Sequence, residues 1–336
     1  MPRRVSGLGP MSKQPPDLNQ LTGAIADDLV LPFRTGGSGV TGRLVRLGPL
    51  VDQVLSRHAY PEPVSVALGQ ALALTALLGT ALKFNGKLIL QTKTDGPLGF
   101  LVADYESPNL QQPGRLRGYA AFDAERAATL AAKDQGNLLG TGHMALTIDP
   151  GGHLDRYQGI VSMEGKPLTV AAHTYFRQSE QLPTFIRLAV ARHYVAAEKM
   201  WAWRAGGLML QYVSLEGGIP QAAAANVEEQ DRLVGEDTDD WQRTVILAQT
   251  VEDHELLDPM LSPDQLLYRL FHEEGVRVHP SIPLDVYCQC SAERVETLLK
   301  SFGAGELADM REDDGAVAVT CEFCRSTYRV TDAQLR

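Results

Sequence analysis

Residues 87–104, KLILQTKTDGPLGFLVAD, combine two runs of strand-forming residues with a turn between them. The runs Lys87–Thr94 and Leu98–Asp104 are rich in leucine, valine and threonine, and Asp95-Gly96-Pro97 is typical of a tight turn. This arrangement predicts an antiparallel β-hairpin. The residues on either side of it extend the hairpin into a sheet.

Further strands are indicated on the C-terminal side of this hairpin. Arg115–Phe122 predicts one strand, while Met144–Ile148 and Leu154–Met163 flank a second turn, Asp149-Pro150-Gly151-Gly152. Helices are predicted at Leu47–Ser56, Val64–Leu82 and Ala124–Lys133. The fold class that follows is α+β, with a large sheet-rich N-terminal core domain at residues 21–212.

The helix Val64–Leu82 approaches the length of a membrane span, but it contains Gln70, Thr75 and Thr80. We therefore expect a buried core helix and no membrane partner. The N-terminal residues 1–20 lack the apolar run of a secretory signal and predict a disordered tail. A cytoplasmic location follows as an expectation.

The composition narrows the class of protein. The 336 residues are 44% hydrophobic and 21% charged, as in soluble globular proteins. The formal net charge of -10 gives no attraction for phosphate backbones, so nucleic acid is not an expected partner.

An acidic segment, residues 213–280, follows the core. Between Val227 and Asp258 it has eleven acidic and two basic residues, which makes it a weak independent folder. A second helix is predicted at Ser262–Glu274. The acidic stretch Val227–Asp258 nevertheless has apolar residues at roughly helical spacing: Trp241, Val245, Ile246, Leu247, Val251, Leu256 and Leu257. We predict a metastable helical linker, whose apolar side is either permanent core packing or the cover of a binding surface.

Two close cysteine pairs occupy the last segment, residues 281–336. They are Cys288-Gln-Cys290 and Cys321-Glu-Phe-Cys324, thirty residues apart, and the chain has no other cysteine. Thiolates are soft ligands that suit zinc, and two such pairs can enclose one tetrahedral ion. The pattern predicts one Zn²⁺ bound by four cysteines, with His279 as a remote alternative ligand.

The energetics favour a redox switch over an ordinary zinc ribbon, which remains the simpler alternative. Structural zinc contributes about 10–16 kcal/mol to the folding of small modules. A disulfide within either pair would close a loop of three or four residues and contribute roughly 2 kcal/mol. Oxidation should therefore unfold the module. The spacing also argues against an ordinary ribbon, because the C-x-C pair is tighter than the cysteine pairs of most zinc ribbons.

The sequence at this point resembles the redox-regulated 33-kilodalton heat-shock chaperone family of bacteria. The cysteine spacing is similar, as are YFRQSEQLPT at 175–184, GGLMLQ at 206–211 and LYRLFHEE at 267–274. The resemblance spans about Leu21–Leu335. The chain departs from the family in the tail before Pro16 and in a hairpin-like insert, Ala189–Arg204.

The resemblance implies an ATP-independent holdase, a chaperone that binds unfolding client proteins and prevents their aggregation. It implies that the reduced, zinc-bound form is inactive. It also implies that oxidation pairs Cys288 with Cys290 and Cys321 with Cys324, releases zinc and unfolds the linker. The oxidised protein would form a homodimer and pass clients to ATP-dependent chaperones after reduction.

Two alternative functions agree less well with the sequence. A zinc-ribbon adaptor for nucleic acid or protein would need a basic or aromatic face, but residues 288–336 have nine acidic and six basic side chains. An enzyme is not predicted, since no nucleophile elbow or phosphate-binding loop occurs.

Overall fold

Most strands of the chain belong to one large sheet. The computed structural model describes residues 27–36, 39–81, 85–152, 154–212, 238–312 and 314–335. The predicted tail and residues 213–237 of the predicted linker lie outside these ranges. The strands are β1 (Leu29–Thr35), β2 (Val40–Leu47), β3 (Lys87–Thr94), β4 (Phe100–Glu106), β5 (Gly114–Ala121), β6 (Thr141–Asp149), β7 (Tyr157–Glu164), β8 (Thr184–Val195), β9 (Met200–Tyr212), β10 (Val276–Val278), β11 (Ile282–Val286), β12 (Val317–Thr320) and β13 (Thr327–Val330).

The sheet consists of two antiparallel halves. Its order is β7-β6-β3-β4-β5-β11-β1-β2-β9-β8, and β10 pairs with β1 beside β11. The joining strand β11 pairs parallel with β5 and antiparallel with β1. The chain therefore returns to the centre of the core sheet just before its first cysteine.

The predicted hairpin at residues 87–104 is confirmed, with one shift in its second strand. β3 spans Lys87–Thr94 as expected and pairs antiparallel with β4. β4 begins at Phe100 rather than Leu98, because the N–H of Thr94 donates to the Gly99 carbonyl and Leu98 is bonded to Leu138 instead. The turn is therefore longer than the Asp-Gly-Pro signal suggests.

The helices are α1 (Pro49–Ser56), α2 (Glu62–Ala81), α3 (Ala124–Ala128), α4 (Gln135–Leu139), α5 (Leu168–Tyr175), α6 (Asp239–Gln249), α7 (Asp253–Leu257), α8 (Pro263–Phe271), α9 (Ala292–Leu299), α10 (Ala304–Asp309) and α11 (Asp332–Leu335). Within the described ranges α2 has the length and hydropathy of a membrane span, but 83% of its apolar window is buried in the protein. It packs on both halves of the sheet, as a core helix does. The prediction of a buried core helix is confirmed.

The helix predicted at Ala124–Lys133 is shorter than expected. It ends at Ala128, and only Ala127 of its five residues is buried. Alanine propensity without an apolar face to bury does not sustain a longer helix. The chain turns after Thr129, whose hydroxyl donates to the Arg126 carbonyl.

The predicted hairpin-like insert, Ala189–Arg204, is part of a long hairpin at one edge of the sheet. β8 and β9 stay in register from Thr184, opposite Gln211, to Val195, opposite Met200. The rings of Tyr194 and Trp201 contact each other edge-to-face near its tip, with centroids 5.4 Å apart.

The described part of the linker covers one face of β1, β2, β8 and β9. Eight buried apolar residues of the sheet, here called the covered face, contact eight buried residues of the linker segment. The covered face consists of Leu29, Leu31, Phe33, Val40, Leu44, Ala189, Leu208 and Leu210, and its partners are Trp241, Ala248, Val251, Leu256, Leu266, Leu267, Leu270 and Phe271. Ile246, counted among the apolar positions in the sequence, is 61% exposed.

The C-terminal module contains α9, α10, α11 and the β12–β13 hairpin. Its core is small: the apolar cluster among the described residues has four buried members, Val295, Leu299, Val317 and Val330. The strands β10 and β11 pair with core strands although they fall within the predicted linker and zinc domain. The division at residues 212 and 280 remains a proposal.

Candidate metal centre and linker contacts

Two separate segments present the four cysteines. Cys288 and Cys290 lie between β11 and α9, where the Ser291 hydroxyl accepts a hydrogen bond from the Arg294 N–H and caps the helix. Cys321 and Cys324 lie in the turn of the β12–β13 hairpin. That turn is closed by two main-chain bonds, from Cys321 N–H to the Ser326 carbonyl and from Arg325 N–H to the Cys321 carbonyl.

The fold brings the four sulfurs together. All four lie within 4.8 Å of one another, and no histidine or carboxylate of the described residues joins the group. The Sγ atoms of Cys288 and Cys290 are 3.2 Å apart, those of Cys290 and Cys324 are 3.3 Å apart, and those of Cys288 and Cys321 are 3.6 Å apart. A tetrahedral ion with sulfur ligands at about 2.3 Å places its sulfurs about 3.8 Å apart. The donor set and its spacing therefore fit a metal ion, and zinc is the ion that four thiolates favour.

The sequence alternative, His279, lies at the end of β10. Its main-chain N–H donates to the carbonyl of Pro32, which is part of β1. It is not a member of the cysteine group. The assignment of Cys288, Cys290, Cys321 and Cys324 as the zinc ligands stays a prediction that this geometry favours.

The cysteine thiols differ in acidity. Burial raises the pKa of the Cys288 thiol to about 12 and also raises the pKa of Cys321. Burial acts to raise the pKa of Cys324 too, but hydrogen bonding with the Ser326 hydroxyl and main chain lowers it to about 6. The Sγ of Cys324 lies 3.3 Å from the Ser326 hydroxyl. A lowered pKa favours the thiolate form of Cys324, which is the form that binds metals and reacts with oxidants.

Several residues around the four cysteines are not indicated by any sequence motif. The Tyr328 hydroxyl donates to the Sγ of Cys290 at 3.1 Å. Tyr287 and Phe323, which are neighbours of the cysteines in the sequence, contact the core sheet through Arg117. Their adjacency to the cysteine pairs is the only sequence signal that they carry.

Two buried arginines of the sheet hold the linker helix α7 and the loop after it. Arg46 of β2 is fully buried and donates to the main-chain carbonyls of Glu255, at 3.2 Å, and of Leu261. Arg204 of β9 donates to the Leu257 carbonyl at 2.6 Å and pairs with Asp27. Burial lowers the pKa of Arg46 to about 10, so it stays charged at neutral pH. Polar contacts therefore join the apolar ones in fixing the linker.

We expect Arg46→Ala to loosen α7, because hydrogen bonds from a charged donor to buried carbonyls contribute about 1.5–3 kcal/mol each. Hydrogen exchange at residues 253–261 should become at least tenfold faster. The matched control is Arg187→Ala, which removes an exposed pair with Asp253 at 2.8 Å. Such pairs contribute about 0–1 kcal/mol. Equal effects of the two substitutions would contradict the role given to Arg46.

Comparison with known proteins identifies the family. A family model described as "Hsp33 protein" matches residues 28–331. The chain belongs to the Hsp33 family. Its relatives include the 33 kDa chaperonin of Caulobacter vibrioides strain NA1000, which is 41% identical over 310 residues, covering 91% of this chain and 95% of that protein. Another relative, the 33 kDa chaperonin of Ectopseudomonas mendocina, is 35% identical over 310 residues, covering 92% of this chain and 94% of that protein.

The fold agrees with a solved member of the Hsp33 family. The crystal structure of the 33 kDa chaperonin from Thermotoga maritima matches with a TM-score of 0.69 and 21% identity, covering 92% of this chain and 96% of that one. The predicted α+β class and the resemblance noted from the sequence are thus confirmed. Membership of the Hsp33 family gives the chain a chaperone function, which implies that it binds unfolded proteins.

Proposed function

We propose that this chain is a redox-regulated, ATP-independent holdase that is inactive while its cysteines are reduced and zinc-bound. The observation that carries the proposal is the covered face. A contiguous apolar surface on a folded sheet is suited to bind unfolded protein once it is exposed. Here the short helices α6, α7 and α8 cover this surface, and the cysteine module follows them in the chain.

The reduced state depends on the metal centre. Zinc bound by Cys288, Cys290, Cys321 and Cys324 would supply most of the folding free energy of the module. The apolar cluster in the described part of that module has only four buried residues, so little else stabilises it. The four cysteines therefore stabilise the reduced module by binding the metal, and the same thiolates are the groups that an oxidant attacks.

Oxidation would convert the thiolate ligands to disulfides, which no longer bind zinc. With hydrogen peroxide, one thiolate attacks an oxygen and becomes a sulfenic acid, and a second thiol displaces water from it. In total two thiols and one peroxide give one disulfide and two waters. We propose the pairs Cys288–Cys290 and Cys321–Cys324, as in the family. Sulfurs of both pairs, and also those of Cys290 and Cys324, are already close.

Loss of the zinc-bound cysteine module would let the acidic linker unfold and uncover the sheet. The linker helices are short, with 11, 5 and 9 residues, and helices of this length depend on tertiary packing. Uncovered, the face would bind unfolding clients and keep them from aggregating. The family pattern adds a homodimer in the oxidised state, transfer of clients to ATP-dependent chaperones after reduction, and a cytoplasmic location.

Zinc content and holdase activity should change together. We expect the reduced protein to bind one zinc per chain and to leave a heat-unfolding client unprotected. Peroxide under mildly unfolding conditions should release the zinc and switch protection on, and dithiothreitol with zinc should reverse both. Peptide mapping of the active form should show the bridges Cys288–Cys290 and Cys321–Cys324.

The matched variant for this experiment is Cys321→Ser, which removes one ligand and one bridge. Peroxide should not change the holdase activity of this variant in the way that it changes that of the wild-type protein. Equal protection by the zinc-bound and oxidised wild-type protein, or normal activation of Cys321→Ser, would contradict the proposal.

A further inference from the structure

The two cysteine pairs contact the core through the aromatic residues beside them. Tyr287 directly precedes the first pair, and Phe323 lies within the second pair. The guanidinium carbon of Arg117, on β5, lies 4.0 Å from the centroid of the Phe323 ring and 5.2 Å from that of Tyr287. One side chain of the core thus contacts residues of both segments that form the centre.

The sheet holds Arg117 in a fixed position. Its Nε and Nη2 atoms bond to one carboxylate oxygen of Asp104 on β4, at 2.7 and 2.6 Å. The Asp104 side chain is 4% exposed and that of Arg117 18% exposed. Buried, charge-assisted pairs of this kind restrict the guanidinium plane, which then offers a rigid surface for stacking.

Other core residues surround the same two rings. Tyr119 contacts the Phe323 ring edge-to-face, with centroids 4.9 Å apart, and the His58 ring nitrogen Nε2 lies 3.2 Å from the Phe323 carbonyl oxygen. Arg115 lies 4.8 Å from the centroid of the Tyr287 ring. The knuckle between Cys321 and Cys324 therefore contacts the core sheet through Phe323.

We propose that Arg117 is the residue of the core that positions the metal centre, by holding Tyr287 and Phe323 and with them the two cysteine pairs. Docking that favours the assembled centre must, by thermodynamic reciprocity, increase its retention of zinc. The zinc affinity of the module is thus partly determined by the core sheet. This inference rests on the proposed zinc site, and it makes the core a regulator of how readily the cysteines become available to an oxidant.

The test is transfer of zinc from the reduced full-length protein to a colorimetric chelator. Arg117→Lys keeps a cation beside Asp104 but loses the planar group that stacks on the rings. Phe323→Ala removes the larger contact from the other side. We expect each variant to lose zinc about tenfold faster, as expected for loss of cation–π contacts in a partly buried site. Arg156→Lys, which alters an exposed pair with Asp149, should transfer zinc at the wild-type rate.

Two further measurements separate positioning from a general loss of stability. The double variant, Arg117→Lys with Phe323→Ala, should lose zinc more slowly than the product of the two single effects predicts, because the contact between Arg117 and Phe323 is common to both changes. Tyr287→Phe should retain zinc at least as long as the wild type, since the Tyr287 hydroxyl is buried and no described group bonds to it. The thermal midpoint of the core should stay within a few degrees of the wild type in Arg117→Lys.

Three outcomes would overturn the inference. Unchanged zinc transfer in Arg117→Lys and Phe323→Ala would show that the contacts are incidental. Additive acceleration in the double variant would show that the two residues act separately. A wild-type protein that binds no zinc would overturn the zinc site itself, which distinguishes that failure from a failure of the positioning role.

Discussion

Ala248→Asp should make the reduced, zinc-loaded protein an active holdase without any oxidant. Ala248 of α6 is fully buried against the covered face. A carboxylate placed there has no cationic partner in the apolar cluster, and burying an unpaired polar or charged group costs several kcal/mol. An eleven-residue helix cannot absorb that cost. Protection of a heat-unfolding client should approach that of the oxidised wild-type protein.

The same helix offers a matched control. Ile246→Asp introduces the same residue two positions earlier, where the side chain is 61% exposed. Its reduced form should stay inactive, and hydrogen exchange at residues 239–271 should stay slow. In Ala248→Asp the same residues should exchange rapidly while the zinc content remains one per chain. An inactive Ala248→Asp protein whose linker exchanges rapidly would show that the covered face is not the client surface.

Cys290→Ser should abolish stoichiometric zinc binding and unfold the C-terminal module. The Cys290 sulfur lies close to those of both Cys288 and Cys324 and so is central to the site. A hydroxyl is a poor replacement for a thiolate ligand, and the metal contributes about 10–16 kcal/mol in modules of this kind. Zinc content should fall to a small fraction of one per chain, and NMR signals of α9 and the β12–β13 hairpin should lose their dispersion.

Tyr328→Phe is the control for this substitution. It removes the hydroxyl that donates to Cys290 at 3.1 Å but leaves all four sulfurs in place. Groups that hydrogen-bond to the ligands of a metal ion typically alter the affinity for that ion by about 10–100-fold. The variant should therefore still bind one zinc at micromolar metal, though more weakly. A folded Cys290→Ser module would show that the metal is not required for its structure.

Local patterns predicted much of the fold. The hairpin at residues 87–104 and the buried helix α2 depend on turn chemistry and on continuous apolar character, which neighbouring residues determine. The boundaries that were predicted wrongly lie where tertiary contacts decide them: the Leu98 N–H donates to the Leu138 carbonyl, and the helix that begins at Ala124 buries only Ala127. Propensity is a weak signal at such positions.

The cysteine pairs were visible in the sequence, but their surroundings were not. Nothing in the spacing indicates that β11 enters the centre of the core sheet, or that Arg117 contacts residues beside both pairs. Similarly, the contact between Arg46 and the Leu261 carbonyl joins groups 215 positions apart. Such contacts follow from how the elements pack, which no local period records.

By itself the sequence determined the α+β class and the four thiols that can share one metal ion. These properties follow from residue chemistry and short spacing. Only the tertiary structure decided which sheet face the residues of α6 to α8 cover, that Ile246 is exposed, and that residues beside both cysteine pairs contact Arg117. The physical reason is that burial and docking are relations between distant segments, and they exist only once the chain has folded.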